Sequence, residues 1–565
     1  MKKTFITIIT LLFALGINAQ TFEWAKSFGG NSLDYGRSVA VDALGNVYTT
    51  GYFVGTVDFD PGAGTTNLSS RGVNDIFVQK MDASGNFIWV KSFGSSSNDY
   101  GYSITVDDSG NVYTTGFFNG IIDFNPGTGT ANLSSAGGLD VFVQKLDASG
   151  NFVWAKSFGS IGDDFGISIA VDTFGSVYTV GNFGGTVDFD PGAGTTNLSS
   201  VGRADIFVQK LDATGNFAWA KSFGSSSLSS LDVVNSITVD ITGNVYIIGS
   251  FEGTVDFNPG LGITNLSSSG SDDIFVQKLD ASGSFLWAKS FGGSSFDVGY
   301  SIAIDATGNV YTTGLFSGTV DFDPGAGIAN LSSVRGRDIF VQKLDTSGSF
   351  VWAKSFGGIG DNVGHSVSVD TLGNVYTTGL FSGTVDFNPG VGTVNLTSLG
   401  PADVFVQKLD TSGNFLWATS FGGIGSDIGY SVKIDASGNV YTTGFFEGTV
   451  DFDPSAGTAN RTSVGGADIF VQKMSQSITT EIIEIENGIQ LSAYPNPSSG
   501  LVNVQFTKPL KQAEFIVTDA QGKDIYSKQL DGFSNKQIYI DGPSGIYFLK
   551  IKTATCQSMI KLIKE

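Results

Sequence analysis

Seven tryptophans, the only ones in the chain, stand at Trp24, Trp89, Trp154, Trp219, Trp287, Trp352 and Trp417. The intervals are 65, 65, 65, 68, 65 and 65 residues. A period of this length settles the architecture before local propensity is consulted, because each unit must bury its apolar faces against its neighbours. Residues 21–474 therefore read as seven copies of one module, which overrules the several domains that length alone would suggest.

The second copy shows the module in full. Residues 103–107 (Ser-Ile-Thr-Val-Asp) and 112–118 (Val-Tyr-Thr-Thr-Gly-Phe-Phe) read as strands joined by a turn. A long glycine-rich connection over 119–139 follows, then strands at 140–146 and 152–158 joined by a second tight turn. Both turns carry Asp-x-x-Gly followed by Asn or Ser. Aspartate can bond the backbone ahead of it, and glycine supplies the positive φ that closes a hairpin. The turns at Asp82, Asp147, Asp212, Asp280, Asp345 and Asp410 have the residue types of a metal or protease motif, but their place between strands makes them turn chemistry.

Strand residues are apolar on both faces, as in Ile76 and Val78 against Phe77 and Met81. A sheet wetted on one side would alternate more cleanly, so each four-stranded sheet is expected to be sandwiched between neighbours, as propeller blades are. The array begins with a fourth strand at 22–28 and ends with a third at 468–474. The leftover N-terminal strand can complete the last sheet, which predicts an all-β, seven-bladed propeller closed by that strand and stripped of two open edges. The recurring Val-Asp-x-x-Gly-Asn-Val-Tyr-x-x-Gly and Asp-Ile-Phe-Val-Gln-Lys-Leu-Asp-x-Ser-Gly-x-Phe-x-Trp resemble the bacterial seven-bladed-propeller (SBBP) repeat family over residues 21–474. The resemblance implies the fold and says little about activity.

Both ends carry addresses. Lys2 and Lys3, an apolar stretch over 5–17 and the small residue Ala19 read as a secretory signal peptide over 1–19, too short to span a bilayer. No later stretch is long and apolar enough for a transmembrane helix. Past Met474 lies a polar, acidic linker over 475–490. Residues 491–565 then show alternating apolar residues between Gly, Pro and Asp turns, the pattern of a small Ig-like β-sandwich. Tyr494-Pro-Asn-Pro, the Asp519-x-x-Gly-Lys turn, Gly545-Ile-Tyr-Phe-Leu-Lys and the lysine-bearing terminus resemble the C-terminal type A sorting domain of type IX secretion cargo in Bacteroidetes. That resemblance implies the type IX machinery as partner, then cleavage, with release or attachment at the outer cell surface. The lone Cys556 allows no intrachain disulfide and is expected to be a buried small residue.

A formal charge of −22 argues against nucleic acid and anionic membranes as partners. Catalytic sets are missing from the pattern. His365 is the only histidine and sits where other copies carry Arg37, Tyr102, Ile167, Asn235, Tyr300 and Tyr430. That variability reads as a solvent-facing loop residue rather than a general base. Other departures from the consensus, Arg71, Arg203, Arg335, Arg337, Arg461, Glu252 and Glu447, form no recognisable set. Carboxylates are abundant but repeated, whereas a two-carboxylate glycosidase needs singular residues in one pocket. Every copy does carry Asp-Phe-[Asp/Asn]-Pro: Asp58 and Asp60, Asp123 and Asn125, Asp188 and Asp190, Asp256 and Asn258, Asp321 and Asp323, Asp386 and Asn388, Asp451 and Asp453. Counting strand directions puts these loops, and the three extra residues within 225–235, on one rim. Calcium favours such oxygen ligands, so the rim aspartates are the metal candidates. The competing reading is a rigid turn with Phe plugged into the blade. The Asn-Leu-Ser-Ser repeats match a glycosylation sequon but read as turn residues.

The sequence thus points to an exported, non-catalytic, monomeric surface or secreted protein without an organic cofactor, whose rim binds a glycan or a surface protein. The alternatives are a carbohydrate-active hydrolase or lyase with its site at the ring centre, marked by clustering of singular residues in one pocket, and a structural surface scaffold.

Overall fold

The structure is a computed structural model that describes residues 20–226, 232–476, 483–484, 490–494, 500–519, 522–543, 545–553 and 557–564. The expected signal peptide, most of the linker, Cys556 and most of the insertion within 225–235 lie outside the described residues. Two compact units emerge, one over Phe22–Ser475 and another that includes Gln476–Glu565. All regular structure among the described residues is β, and no helix there is long and apolar enough to cross a membrane.

Phe22–Ser475 is built from seven four-stranded antiparallel sheets. The first joins Tyr35–Val41, Val47–Phe53, Asp75–Met81 and Phe87–Phe93 in that order, and the next five copy it. In the seventh, Ile428–Ile434, Val440–Asp451 and Asn460–Gln476 are followed not by the next segment of chain but by Gln20–Phe28. Each first strand packs against the first strands of the sheets before and after it, and Tyr35–Val41 also packs against Ile428–Ile434.

Local chemistry sets the hairpins. Asp42 accepts the N–H of Leu44 at 3.0 Å and of Asn46 at 2.9 Å through one carboxylate oxygen, while Gly45 holds φ at 77°. Its other oxygen takes the Tyr48 hydroxyl at 2.9 Å. The turn between strands three and four repeats the device around Asp82, with Gly85 at φ 75°. The glycine of Val-Tyr-x-x-Gly answers a different need. A Cβ on Gly51 would fall 1.8 Å from the Tyr35 carbonyl oxygen, beside the register shift at Gly36 and Ser38.

Both sheet faces are buried, as the apolar pattern required. Phe28, Val39, Phe53, Phe59 and Phe77 form one core with Tyr441, Ile469 and Val471 of the seventh sheet, and six further cores lie between the other neighbours. A fully buried phenylalanine contributes roughly 1.5–3 kcal/mol of transfer free energy, so dozens of repeated aromatics dominate cohesion.

The seventh sheet is built like the others despite its split origin. Trp24 lies edge-on to Tyr441 at 6.4 Å and donates its indole N–H to the Ala83 carbonyl at 3.2 Å. Trp89 does the same with Tyr48 and Ala148. One substitution is particular to the seam. Where other copies carry leucine in Asn-Leu-Ser, this sheet has Arg461, whose Nη2 and Nε donate to the Ala25 carbonyl at 2.8 and 3.2 Å. The missing hairpin leaves a mark as well: the Trp417 indole nitrogen, facing the seam, has no hydrogen-bond partner among the described residues.

In the second unit, one antiparallel sheet runs Ile483–Glu484, Gln490–Tyr494, Leu501–Asp519, Gly545–Lys552, Gln557–Lys564, and Asp524–Tyr539 also pairs with Leu501–Asp519. It encloses its own core of Val502, Val504, Phe515, Val517, Leu549 and Ile551. Asp519 and Gly522 reuse the propeller's turn chemistry, and Lys564 Nζ donates to the Ile540 and Gly542 carbonyls at 3.0 and 2.6 Å.

Candidate functional site: the central cavity

The rim aspartates come first, because the sequence singled them out. Asp58 accepts the N–H of Asp60 at 3.1 Å and of Thr66 at 2.8 Å through one oxygen, which fastens both ends of the loop. Asp60 accepts from Gly62 N at 2.8 Å, and in the second copy the Asn125 amide oxygen takes the equivalent bond from Gly127 at 2.9 Å. A neutral amide serves as well as a carboxylate there, so the bond does not require charge. Phe59 is fully buried, and its carbonyl accepts from Gln79 Nε2 at 2.6 Å. The same pattern holds at Asp123, Asp188, Asp256, Asp321, Asp386 and Asp451, with Asp190, Asp323 and Asp453 in the place of Asp60. Successive copies do not bring these carboxylates together: among the described residues no group of three or more His, Cys, Asp or Glu side chains could hold a metal ion.

A second set of aspartates went unremarked in the sequence. Asp34, Asp99, Asp164, Asp232, Asp297 and Asp427 are buried between sheets and accept backbone N–H groups four residues back or, at Asp232, seven. A companion series runs from Asp75 to Asp468. Burial raises Asp140, Asp273, Asp297, Asp338, Asp427 and Asp468 from the ordinary 3.8 to about 6. Asn362 takes the place of Asp34 in its copy, as a group that is neutral at any pH can. A carboxyl whose folded value lies above its unfolded one contributes stability present at low pH and lost as pH rises through the folded value. The exposed turns act oppositely. At Asp212 a small desolvation cost is outweighed by hydrogen bonds from Thr214 and Asn216, which hold the carboxyl down at about 2, so its contribution is lost as pH falls through that value. The melting temperature is therefore expected to rise as pH falls from 8 to 5 and to drop again towards pH 2, in a calorimetric pH series. A flat profile from 8 to 5 would show that the buried carboxyls titrate normally.

The singular residues converge elsewhere. The first strands of all seven sheets surround a cavity of ≈ 310 Å³. One ring of its wall is Arg37, Tyr102, Ile167, Asn235, Tyr300, His365 and Tyr430, one residue from each sheet. The reading of His365 as a solvent-facing loop residue is thus corrected: it lies within strand Val363–Val369, half-buried in the cavity wall. Its ring sits 5.5 Å from Tyr300 and 5.2 Å from Tyr430, and Nδ1 is 3.1 Å from the Gly429 carbonyl. Burial, offset in part by that carbonyl and reinforced by Arg37, pushes the imidazole down to about 4, so it is neutral at pH 7. The Arg37 guanidinium lies over the Tyr102 ring at 4.5 Å and the Tyr430 ring at 4.3 Å. Asn235 donates to the Gly299 carbonyl at 2.9 Å.

Beneath this variable ring lies a uniform one. Ser38, Ser103, Ser168, Ser236, Ser301 and Ser366 each accept through Oγ the N–H of the residue one past the matching serine of the next sheet, at 3.1–3.4 Å. Ser431 accepts from Val39 of the first sheet at 3.3 Å. Beside the cavity, a chain of aromatic contacts runs through Phe445, Tyr35, Tyr52, Tyr100, Phe117 and Phe165. The matching positions in the fourth to sixth sheets are Val233, Ser250, Val298, Leu315, Val363 and Leu380. The cavity therefore combines a fixed hydrogen-bonded frame with a ring of side chains that differs from sheet to sheet.

Residues 492–565 match the secretion system C-terminal sorting domain, and residues 23–52, 88–116 and 219–250 match the beta-propeller repeat. The chain thus carries SBBP propeller repeats and a type IX secretion sorting domain, and its destination is the outer cell surface or the medium. An uncharacterized WD repeat-containing protein of Acanthamoeba polyphaga mimivirus is 25% identical over 498 residues, covering 75% of this chain and 36% of its own length. Regulatory protein FlaEY of Caulobacter vibrioides is 22% identical over 496 residues, covering 81% and 48%. This chain spans less than half the length of either. Among solved structures, the exotype rhamnogalacturonan lyase YesX aligns over 95% of this chain and 91% of its own at 10% identity, with a TM-score of 0.20.

Proposed function

We propose that this protein is a closed seven-bladed propeller, exported by type IX secretion, that binds a ligand in its central cavity without catalysing a reaction. Closure is supported by the serine relay, in which Ser431 hands on to Val39, and by the pairing of Gln20–Phe28 with the seventh sheet. The observation that carries the binding reading is the convergence of the singular side chains Arg37, Asn235 and His365, with Tyr102, Tyr300 and Tyr430, on one cavity. Its volume, ≈ 310 Å³, suits a small ligand or a chain end. The binding surface thus moves from the rim to the axis.

Clustering of singular residues was the mark expected of an enzyme, but the cavity chemistry favours binding. Among the described residues no carboxylate lines the cavity, so the paired acids of a glycosidase are not at hand there. His365 is bonded through Nδ1 to a main-chain carbonyl, and no hydroxyl is hydrogen-bonded to its Nε2 among the described residues, so no base and nucleophile are paired there.

The repeats supply benign substitutions for the test. Tyr430→Ile installs the residue that the third copy carries as Ile167, and Asp60→Asn installs the residue of Asn125. A glycan array and a surface-protein pull-down on the full chain are expected to yield a ligand that Tyr430→Ile weakens at least tenfold and Asp60→Asn leaves alone. A ligand with the opposite dependence, or one cleaved during incubation, would refute the reading. Calcium at the rim aspartates is tested by titrating millimolar Ca²⁺ into the same protein, and absence of heat removes it.

A further inference from the structure

Two cations face the central cavity, and neither has an acid to neutralise it. Arg37, from the first sheet, makes no ion pair among the described residues and rests on the rings of Tyr102 and Tyr430. Lys433, from the seventh, lines the cavity three residues beyond Tyr430 on the same strand, and no hydrogen bond, ion pair or ring contact holds its ammonium among the described residues. In the other copies its place is taken by Ala40, Thr105, Ala170, Thr238, Ala303 and Ser368, so the lysine is not part of the frame. The protein as a whole carries −22, with 53 acidic residues, yet no acidic residue among those described lines this cavity. Setting an unpaired cation in a walled space costs free energy through desolvation. That cost is offset when an anion enters, because charge-assisted hydrogen bonds in a partly dry site are about twice as strong as neutral ones. Hydroxyl protons of the serine ring add donors, since their oxygens are used as acceptors.

We infer that the central cavity is an anion-binding site, in which Arg37 and Lys433 together hold a carboxylate, sulfate or phosphate group of the ligand. This rests on the reading of the cavity as the binding site and goes further by fixing the chemistry. Tyr102 and Tyr430 position the guanidinium, and the neutral His365 adds polarity without adding charge. Desolvation by the surrounding cavity wall lowers the Lys433 ammonium below its ordinary range, so anion affinity should weaken as pH rises.

The test is calorimetric titration of the full chain with glucuronate, inorganic sulfate, inorganic phosphate and, as the neutral arm, glucose. At least one anion is expected to bind more than tenfold tighter than glucose, and to weaken as sodium chloride is raised. Arg37→Asn and Lys433→Thr, which install residues that other copies carry at these places, should each weaken that binding at least tenfold with an unchanged melting temperature. Binding of glucuronate alone would identify an acidic saccharide, and equal binding of sulfate or phosphate a free oxyanion; both support the site. Should a variant fail to fold, the salt and pH dependence of the native protein decide. Anions binding no better than glucose, or binding untouched by both substitutions, would overturn the inference. Glucose bound in a manner that Tyr430→Ile abolishes would overturn it too, while leaving the cavity as a binding site.

Discussion

A chain that begins at Gly29 is expected to lose its cooperative fold, because residues 20–28 are the fourth strand of the seventh sheet. Phe28 is 2% exposed and belongs to the core shared with the first sheet, and Ala25 is 1% exposed in the core shared with the sixth. Their loss is felt on both sides of the seam. Large-to-small changes at buried aromatic sites cost about 3–5 kcal/mol each, and this deletion removes three buried or half-buried aromatics, Phe22, Trp24 and Phe28, together with a full ladder of main-chain bonds. The sum is comparable with the 5–15 kcal/mol that holds a typical domain. It also leaves Asn460–Gln476 as a long open edge, a template for pairing between molecules. Thermal melting with size-exclusion chromatography should show a fall of more than about 15 °C or outright aggregation, and a synthetic peptide of residues 20–28 should restore part of the loss. Arg461→Leu, which restores the leucine of the other copies, should act on the same seam more gently. It forfeits charge-assisted bonds to the Ala25 carbonyl worth about 1.5–3 kcal/mol, offset by leucine packing. Its mark would be faster amide exchange confined to residues 20–28 and 460–476. A deletion variant that melts with the native protein would mean that the N-terminal strand is an ornament.

Much of this was legible because each repeated residue does one local job. Asp82 and Gly85 specify a hairpin through bonds spanning four residues, so no distant partner need be known. Trp24 reveals a displaced fourth strand because its neighbours match those of Trp89. The cavity was not legible, because its lining varies from copy to copy. Variation among copies at the His365 column reads as exposure to bulk solvent, but the seven first strands also meet around a cavity, where no two positions need agree. Arg37 and Lys433 carried the same signal, singular residues in a column of otherwise unremarkable strand positions. Ser38 was visible as a uniform column, yet its role depends on an N–H 66 residues away, at Ile104. The buried Asp34 and Asp468 series was hidden among the exposed aspartates, since a carboxylate that accepts backbone N–H groups in a junction looks identical in sequence to one that caps a turn.

Removing residues 476–565 is expected to abolish export while leaving the propeller folded. The core around Val502, Phe515 and Leu549 consists of tail residues alone, and the cores of the seven sheets contain none of them. Each unit thus has a core of its own, and the sorting domain over 492–565 is the part that directs the chain to the secretion machinery. The truncated chain should accumulate on the inner side of the outer membrane, with surface and medium levels falling at least tenfold by immunoblot of fractionated cells. Its melting temperature should stay within a few degrees of that of the full-length propeller. The reciprocal graft separates sorting from folding: residues 476–565 fused behind a signal peptide and a reporter should carry the reporter out. Lys564→Ala tests the tail's own integrity, since Lys564 donates to two carbonyls, at Ile540 and Gly542, and fastens the last strand to the turn before Gly545–Lys552. Losing those bonds should cost about 1–3 kcal/mol of tail stability and reduce export in proportion, without changing ligand binding by the propeller. If the truncated chain reached the surface at native levels, the address would have to lie in the repeats, and the tail's ordered strands would need another purpose.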